Sequence, residues 1–179
     1  AAARELALAD LEGGADTLVL SFAGARAARG YGLIAEDVTA LDAALDGVML
    51  DLIRLRLDPA PAGERNAGLI AELIARRDLD PAKVGVDFGL DPIGVLASHG
   101  ALPATWPELG RSLATLIGEL AARGFVGPFL TVDSRPYHEA GASEAQELGA
   151  AMATAVAYLR ALEAGGMALD LARDAISFT

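Results

Sequence analysis

Val132-Asp-Ser-Arg-Pro-Tyr-His-Glu-Ala-Gly-Ala-Ser143, continuing into Glu144-Ala-Gln-Glu-Leu148, joins the end of an apolar strand to the start of a capped helix. Polar side chains in that position, at the carboxyl end of a buried parallel strand, point into the mouth of an α/β fold, where such folds bind ligands. Working outward, four short runs rich in Val, Leu, Ile and Phe stand out: Thr17 to Phe22, Val48 to Leu55, Val84 to Phe88 and Val126 to Val132. Helical patterns separate them. Their starts are roughly 30 residues or more apart, the length of one strand-plus-helix unit in an eight-unit barrel of about 250 residues. Alternation of this kind means βα units and a parallel sheet. The expected fold is therefore α/β, a partial TIM-type (β/α)8 barrel with about four parallel strands alternating with helices, residues 1–179 forming a single domain of about half a barrel.

The helices are legible in the same way. Leu148, Met152, Ala155, Leu159 and Leu162 recur at helical spacing and predict one buried stripe. Ser143 with Gln146 forms a capping box at its start, and Gly165-Gly166 supplies the stop. Leu109, Leu113, Leu116, Ile117 and Leu120 line another helix, which ends at Arg123-Gly124, and Glu12-Gly-Gly-Ala-Asp16 breaks the first helix before the first strand. The chain opens in one helical pattern and closes in another, Met167 to Ile176. Four strands cannot close an eight-stranded barrel, so the remaining units are expected outside this stretch.

An apolar content of 53% with only 5% aromatic residues places the weight on Ala, Leu, Val and Ile, which suits helices packed on a parallel sheet. The mean hydropathy is +0.37, yet no long uncharged span reads as a membrane crossing. A net charge of −11 argues against nucleic acid, since a phosphate backbone is held through clustered Lys and Arg. No cysteine is present, so neither disulfides nor thiolate metal sites arise, and a cytoplasmic location is expected. Ala1-Ala-Ala-Arg-Glu5 has neither the basic region nor the apolar core of a signal peptide.

Several groups carry chemistry. Gly24 and Gly30 follow the first strand, six apart with two arginines between them, but match neither dinucleotide nor P-loop glycine patterns and read as a solvent-facing loop. Asp87 and Asp91 end the third strand in Val86-Asp-Phe-Gly-Leu-Asp-Pro92. Paired carboxylates serve acid/base work or hold a cation, whereas Asp91 before Pro92 also makes a good helix start. Arg54 and Arg56 bracket the end of the second strand, with Asp51 and Asp58 near, either to bind an anion or to pair internally. His99 and His138 lie after successive strands and are expected to approach one another across the mouth. Two histidines without cysteine are too few for an ordinary metal site.

From Leu8-Ala-Asp-Leu-Glu-Gly-Gly-Ala-Asp16 through Gly47-Val-Met-Leu-Asp51, Asp91-Pro-Ile-Gly94 and Tyr137-His-Glu-Ala-Gly-Ala-Ser143 to Gln146-Glu-Leu148, the chain resembles the barrel domain of methylmalonyl-CoA mutase, in its small, non-catalytic type of subunit. The resemblance runs the full length in order. It implies a (β/α)8 barrel that threads a CoA thioester along its axis, and a separate domain or subunit, not in this chain, that brings adenosylcobalamin onto the mouth for a radical rearrangement of methylmalonyl-CoA to succinyl-CoA.

Departures from the catalytic pattern matter. The resemblance places Gly89 where active subunits carry a substrate-polarising Gln, His99 where an Arg grips the substrate carboxylate, Pro136 at the catalytic His, and His138 at a Gln two residues later. This implies a degenerate site and a chain inactive by itself, pairing with a catalytic subunit or a second copy, with acyl-CoA as the one small ligand in prospect. Arg135, Tyr137, His138, His99 and Asp87 are the residues expected to touch a ligand, His138 and Tyr137 as the catalytic candidates and the others as substrate contacts. Two alternatives stand beside this reading: an active acyl-CoA mutase with another substrate, and an unrelated flavodoxin-like binding domain, which strand order would distinguish.

Overall fold

A computed structural model describes residues 2–179; Ala1, the first residue of the stretch read for a leader, lies outside them. The chain runs α1 (Ala2–Glu12), β1 (Thr17–Leu20), a 3-10 turn at Arg26–Ala28, α2 (Val38–Ala44), β2 (Arg54–Leu57), α3 (Gly63–Arg76) and β3 (Gly85–Asp87). It continues with α4 (Pro92–His99), α5 (Trp106–Ala122), β4 (Leu130–Val132), α6 (Arg135–Glu139), α7 (Glu144–Ala164), α8 (Leu169–Asp174) and β5 (Ile176–Phe178).

The strands pair in parallel and in chain order, β1 with β2 with β3, and β4 with β5. A single parallel bridge between Leu90 and Leu130 joins the two groups just past the end of β3. Direction and order never reverse, so the switch point of a doubly wound sheet is missing among the described residues, and the flavodoxin-like alternative is not favoured. The sheet does not close on itself.

Three elements differ from the sequence reading, the fourth strand by starting at Leu130 and not Val126, because Val126 is exposed and Gly127 (φ +78°) with Pro128 breaks the run. The second strand is Arg54–Leu57, not Val48 to Leu55: Gly47 (φ +84°) ends α2 with a turn, and Val48 and Leu50 anchor that turn in the core without pairing. The strand itself is the alternation Arg-Leu-Arg-Leu, with Leu55 and Leu57 buried and both arginines on the other face. At the C-terminus, the helical pattern carried to Ile176 stops at Asp174, and Ile176–Phe178 form a fifth strand, so the parallel strands number five among the described residues.

Leu55, Leu57, Val86, Leu130 and Val132 share one core with Ile70, Leu73 and Ile74 of α3, Ile117 and Leu120 of α5, and Tyr158 and Leu162 of α7. Burying a residue of that kind contributes about 2 kcal/mol. The stripe predicted on α5 is the buried one, with Leu116 partly covered. On α7 the buried face is instead Ala151, Thr154, Ala155, Tyr158 and Leu162, while Leu148 and Met152 are 65% and 53% exposed. Small residues let α7 lie close on α5: the Ala161 side chain faces Gly110, where an added Cβ would stand only 3.1 Å away. The capping box at Ser143 and Gln146 and the stop at Gly165-Gly166 are as read.

Candidate functional site

The register sets one row of side chains across the inner face of the sheet. Val19 pairs with Arg56 and Arg56 with Asp87; Thr131 pairs with Ser177. The Thr131 hydroxyl donates to Asp87 Oδ1 at 3.2 Å, and Ser177 Oγ lies 3.4 Å from Oδ2, which links the two groups of strands. Arg56 Nε stands 3.7 Å from Asp87 Oδ2. Burial pushes the Asp87 carboxyl up, and the Arg56 charge, the Gly89 N–H and the two hydroxyls pull against it. Of the two readings for the arginine pair, internal pairing holds for Arg56, while Arg54 is exposed.

Directly beyond the strand ends stands a second layer. Asp58 follows β2, Asp133 follows β4, and both are almost fully buried. Arg135 at the first turn of α6 ties them together: Nη2 lies 2.7 Å from Asp58 Oδ1 and from Asp133 Oδ2, and Nε lies 2.8 Å from Asp133 Oδ1. The Asp133 hydrogen bonds, then those of Asp58, raise the Arg135 pKa beyond its ordinary value against the opposing effect of desolvation. Arg135 is thus a cation already matched by two carboxylates.

Asp91 is the N-cap of α4, accepting from the Gly94 N–H at 2.9 Å, with Pro92 following as the sequence suggests. It also accepts from the Asp133 N–H at 3.1 Å and from the Tyr158 hydroxyl. Tyr158, buried at the centre of α7, in turn accepts from the Ile93 N–H at 3.0 Å. Burial pushes the Asp91 carboxyl up to about 6, opposed by these three donors. The phenol of Tyr158 is raised as well, first by burial and then by the Asp91 charge. This group locks α4, α7 and the strand end of β4 to one another.

The two histidines do not meet. His138 is 73% exposed, with Nδ1 2.7 Å from Glu147 Oε1, in a shallow depression beside Ser143 and Glu144. His99 is exposed at the last turn of α4, with Nδ1 3.2 Å from the Val95 carbonyl oxygen, in a different depression formed with the loop after β1. Tyr137 is half-buried in α6. Among the five residues singled out from the sequence, Asp87 and Arg135 sit at the strand ends inside connected networks, whereas His99 and His138 lie on the rim.

Sequence reasoning missed Asp58, Asp133 and Tyr158 as members of this centre. Asp58 and Asp133 had a signal, since each is the first residue after a strand. Tyr158 had none, because it meets Asp91 across 67 residues of chain.

A sequence model of the methylmalonyl-CoA mutase family matches residues 28–179. The chain is 41% identical over 183 residues to the methylmalonyl-CoA mutase small subunit of Streptomyces virginiae, an alignment covering 97% of this chain and 26% of that protein. It is 35% identical over 141 residues to a probable methylmalonyl-CoA mutase small subunit of Mycobacterium tuberculosis (77% of this chain, 22% of that protein). With the methylmalonyl-CoA mutase small subunit of Propionibacterium freudenreichii subsp. shermanii the identity is 32% over 142 residues (77% and 21%). The chain spans about a quarter of the length of the curated relatives it matches.

Proposed function

Because this chain belongs to the methylmalonyl-CoA mutase family, we propose that it is part of a small-subunit type of mutase barrel, a partial (β/α)8 unit that supports a catalytic subunit and does not turn over acyl-CoA itself. The consecutive order of five parallel strands supports the barrel reading, with residues 1–179 as one unit covering about half of such a barrel. The names of the three relatives, each a small subunit, support a catalytic partner chain. No helix among the described residues is long and apolar enough to cross a membrane, and with no cysteine in the chain we place it in the cytoplasm.

The observation that carries the non-catalytic reading is Gly89. It holds φ +60°, and a Cβ added there would lie 1.9 Å from the Leu57 carbonyl oxygen. The substrate-polarising Gln implied at this place in active subunits has no room on this backbone. Other positions agree. Pro136, buried at the start of α6, stands where the resemblance implies the catalytic His, and His138 is turned to Glu147. Arg135 is paired with Asp58 and Asp133.

Adenosylcobalamin belongs, by the resemblance, to a domain or subunit outside this chain. The residues here do not fit the task of holding it: His138 to Gly141 form a His-x-x-Gly without the preceding Asp, and the His138 ring is already bonded to Glu147. Whatever radical chemistry the assembly performs is therefore assigned to the partner.

Native mass spectrometry of the intact protein, alone and with its co-expressed catalytic subunit, tests this. The expected result is a complex whose bound methylmalonyl-CoA resides on the partner and none on this chain. Stoichiometric retention of the thioester by the isolated protein, or turnover without the partner, refutes the reading.

A further inference from the structure

The glycine and arginine loop after β1 builds a feature that the mutase reading leaves unused. Gly24, Arg26, Arg29, Tyr31, Ser98 and His99 surround a depression of about 340 Å³ at the carboxyl end of the sheet. The chain has 25 acidic residues and 14 basic ones, yet no Asp or Glu lines this depression. Arg29 makes no ion pair among the described residues and is exposed. It holds φ +48°, a left-handed backbone uncommon for a side chain of this size.

Arg26 is held at both terminal nitrogens and not at Nε. One of its terminal nitrogens pairs with Glu139, the other reaches Ser98 Oγ at 3.4 Å, and its Nε is buried without an acceptor. Glu139 balances one of the two arginines, which leaves a net single positive charge. By contrast, Arg135 at the strand ends is balanced by two carboxylates.

We propose that the depression bounded by Arg26, Arg29, Ser98 and His99 is a binding site for a phosphate group. Two arginines from the loop, with an imidazole and a hydroxyl from the end of α4, line it together. That arrangement matches the several acceptor directions of a tetrahedral phosphate, whereas a planar carboxylate is satisfied by one guanidinium fork. The phosphate is either a free ion or a phosphomonoester, and Tyr31, 83% exposed at the rim, leaves the depression open to a larger ligand. Binding here requires neither acyl-CoA nor mutase activity.

The test is a calorimetric titration of inorganic phosphate, and separately of phenyl phosphate, into the intact protein at neutral pH and constant ionic strength. Saturable binding with a Kd of about 1 mM or tighter is expected. Arg29→Gln and His99→Gln each weaken it about tenfold or more. Arg29→Gly suits the left-handed backbone, keeps the fold and loses binding equally. Tighter binding of phenyl phosphate than of the free ion assigns the site to an esterified ligand, and equal binding assigns it to the ion. The proposal falls if phosphate does not saturate, if either Arg29 variant binds as the parent does, or if acetate binds as well as phosphate.

Discussion

Replacing Tyr158 with Phe probes the centre that locks α4 to α7. The hydroxyl removed donates to Asp91 and accepts from the Ile93 N–H, so the variant leaves both groups buried with one partner fewer. Losing the acceptor of a partly buried N–H costs about 1 kcal/mol, and losing a hydrogen bond to an ionised carboxylate about 2 kcal/mol. The second cost exists only while Asp91 is charged. Its carboxyl is pushed by burial from 3.8 to about 6, so the folded state binds this proton more tightly than the unfolded one. The stability this group gives is complete below pH 3.8 and is lost as pH rises through 6, a change of about 3 kcal/mol for roughly two pKa units. Without the Tyr158 donor the folded pKa climbs further, so the loss extends to higher pH. Urea unfolding of the intact parent and variant at pH 5 and pH 8 measures this directly. The variant should be destabilised by about 1 kcal/mol at pH 5 and about 3 kcal/mol at pH 8. A penalty equal at both pH values refutes the coupling between the phenol and the Asp91 charge.

Gly89→Ala forces a Cβ onto the Leu57 carbonyl oxygen at positive φ, and should lower stability by about 3 kcal/mol or more in the same unfolding assay. Arg135→Ala leaves Asp58 and Asp133 buried without their cation; with the arginine itself partly exposed, a loss of about 2 kcal/mol is expected at neutral pH in the same assay. An Arg135→Met variant as stable as the parent would show that the side chain acts through packing. His138→Ala should leave the mutase activity of the full complex unchanged, because this ring is exposed and engages only Glu147; a fall in kcat would return His138 to the active groups.

The strands and helices were legible where local chemistry was unambiguous, as in the capped start of α7 at Ser143 and the apolar face of α5. The second strand was misplaced because Val48-Met-Leu50 is more apolar than the Arg-Leu-Arg-Leu that pairs. A strand whose inner face is polar shows only half its residues as hydrophobic. The fifth strand was absorbed into a helix because Ile176-Ser-Phe178 is too short to show a period. On α7, Leu148 and Met152 continue a helical rhythm with Leu159 and Leu162, but the helix presents its small face to α5, which apolar spacing does not encode. At the mouth, Asp91 was correctly a cap, and the partner that sets its acidity lies in α7. No local pattern in the chain announces a contact of that range.

The consecutive parallel order has a consequence for how the protein is made. Within each group the new strand adds to the one just completed, β2 to β1, β3 to β2 and β5 to β4, so the units can dock one after another as the chain leaves the ribosome. Pairings between strands span only tens of residues, which keeps loop-closure costs moderate at every step. The edge at which the sheet grows is the one that the next unit of synthesis will cover. A slowed ribosome just after β3 would therefore leave Leu90 waiting for Leu130, and the nascent chain at that stage is where a chaperone has most to shield.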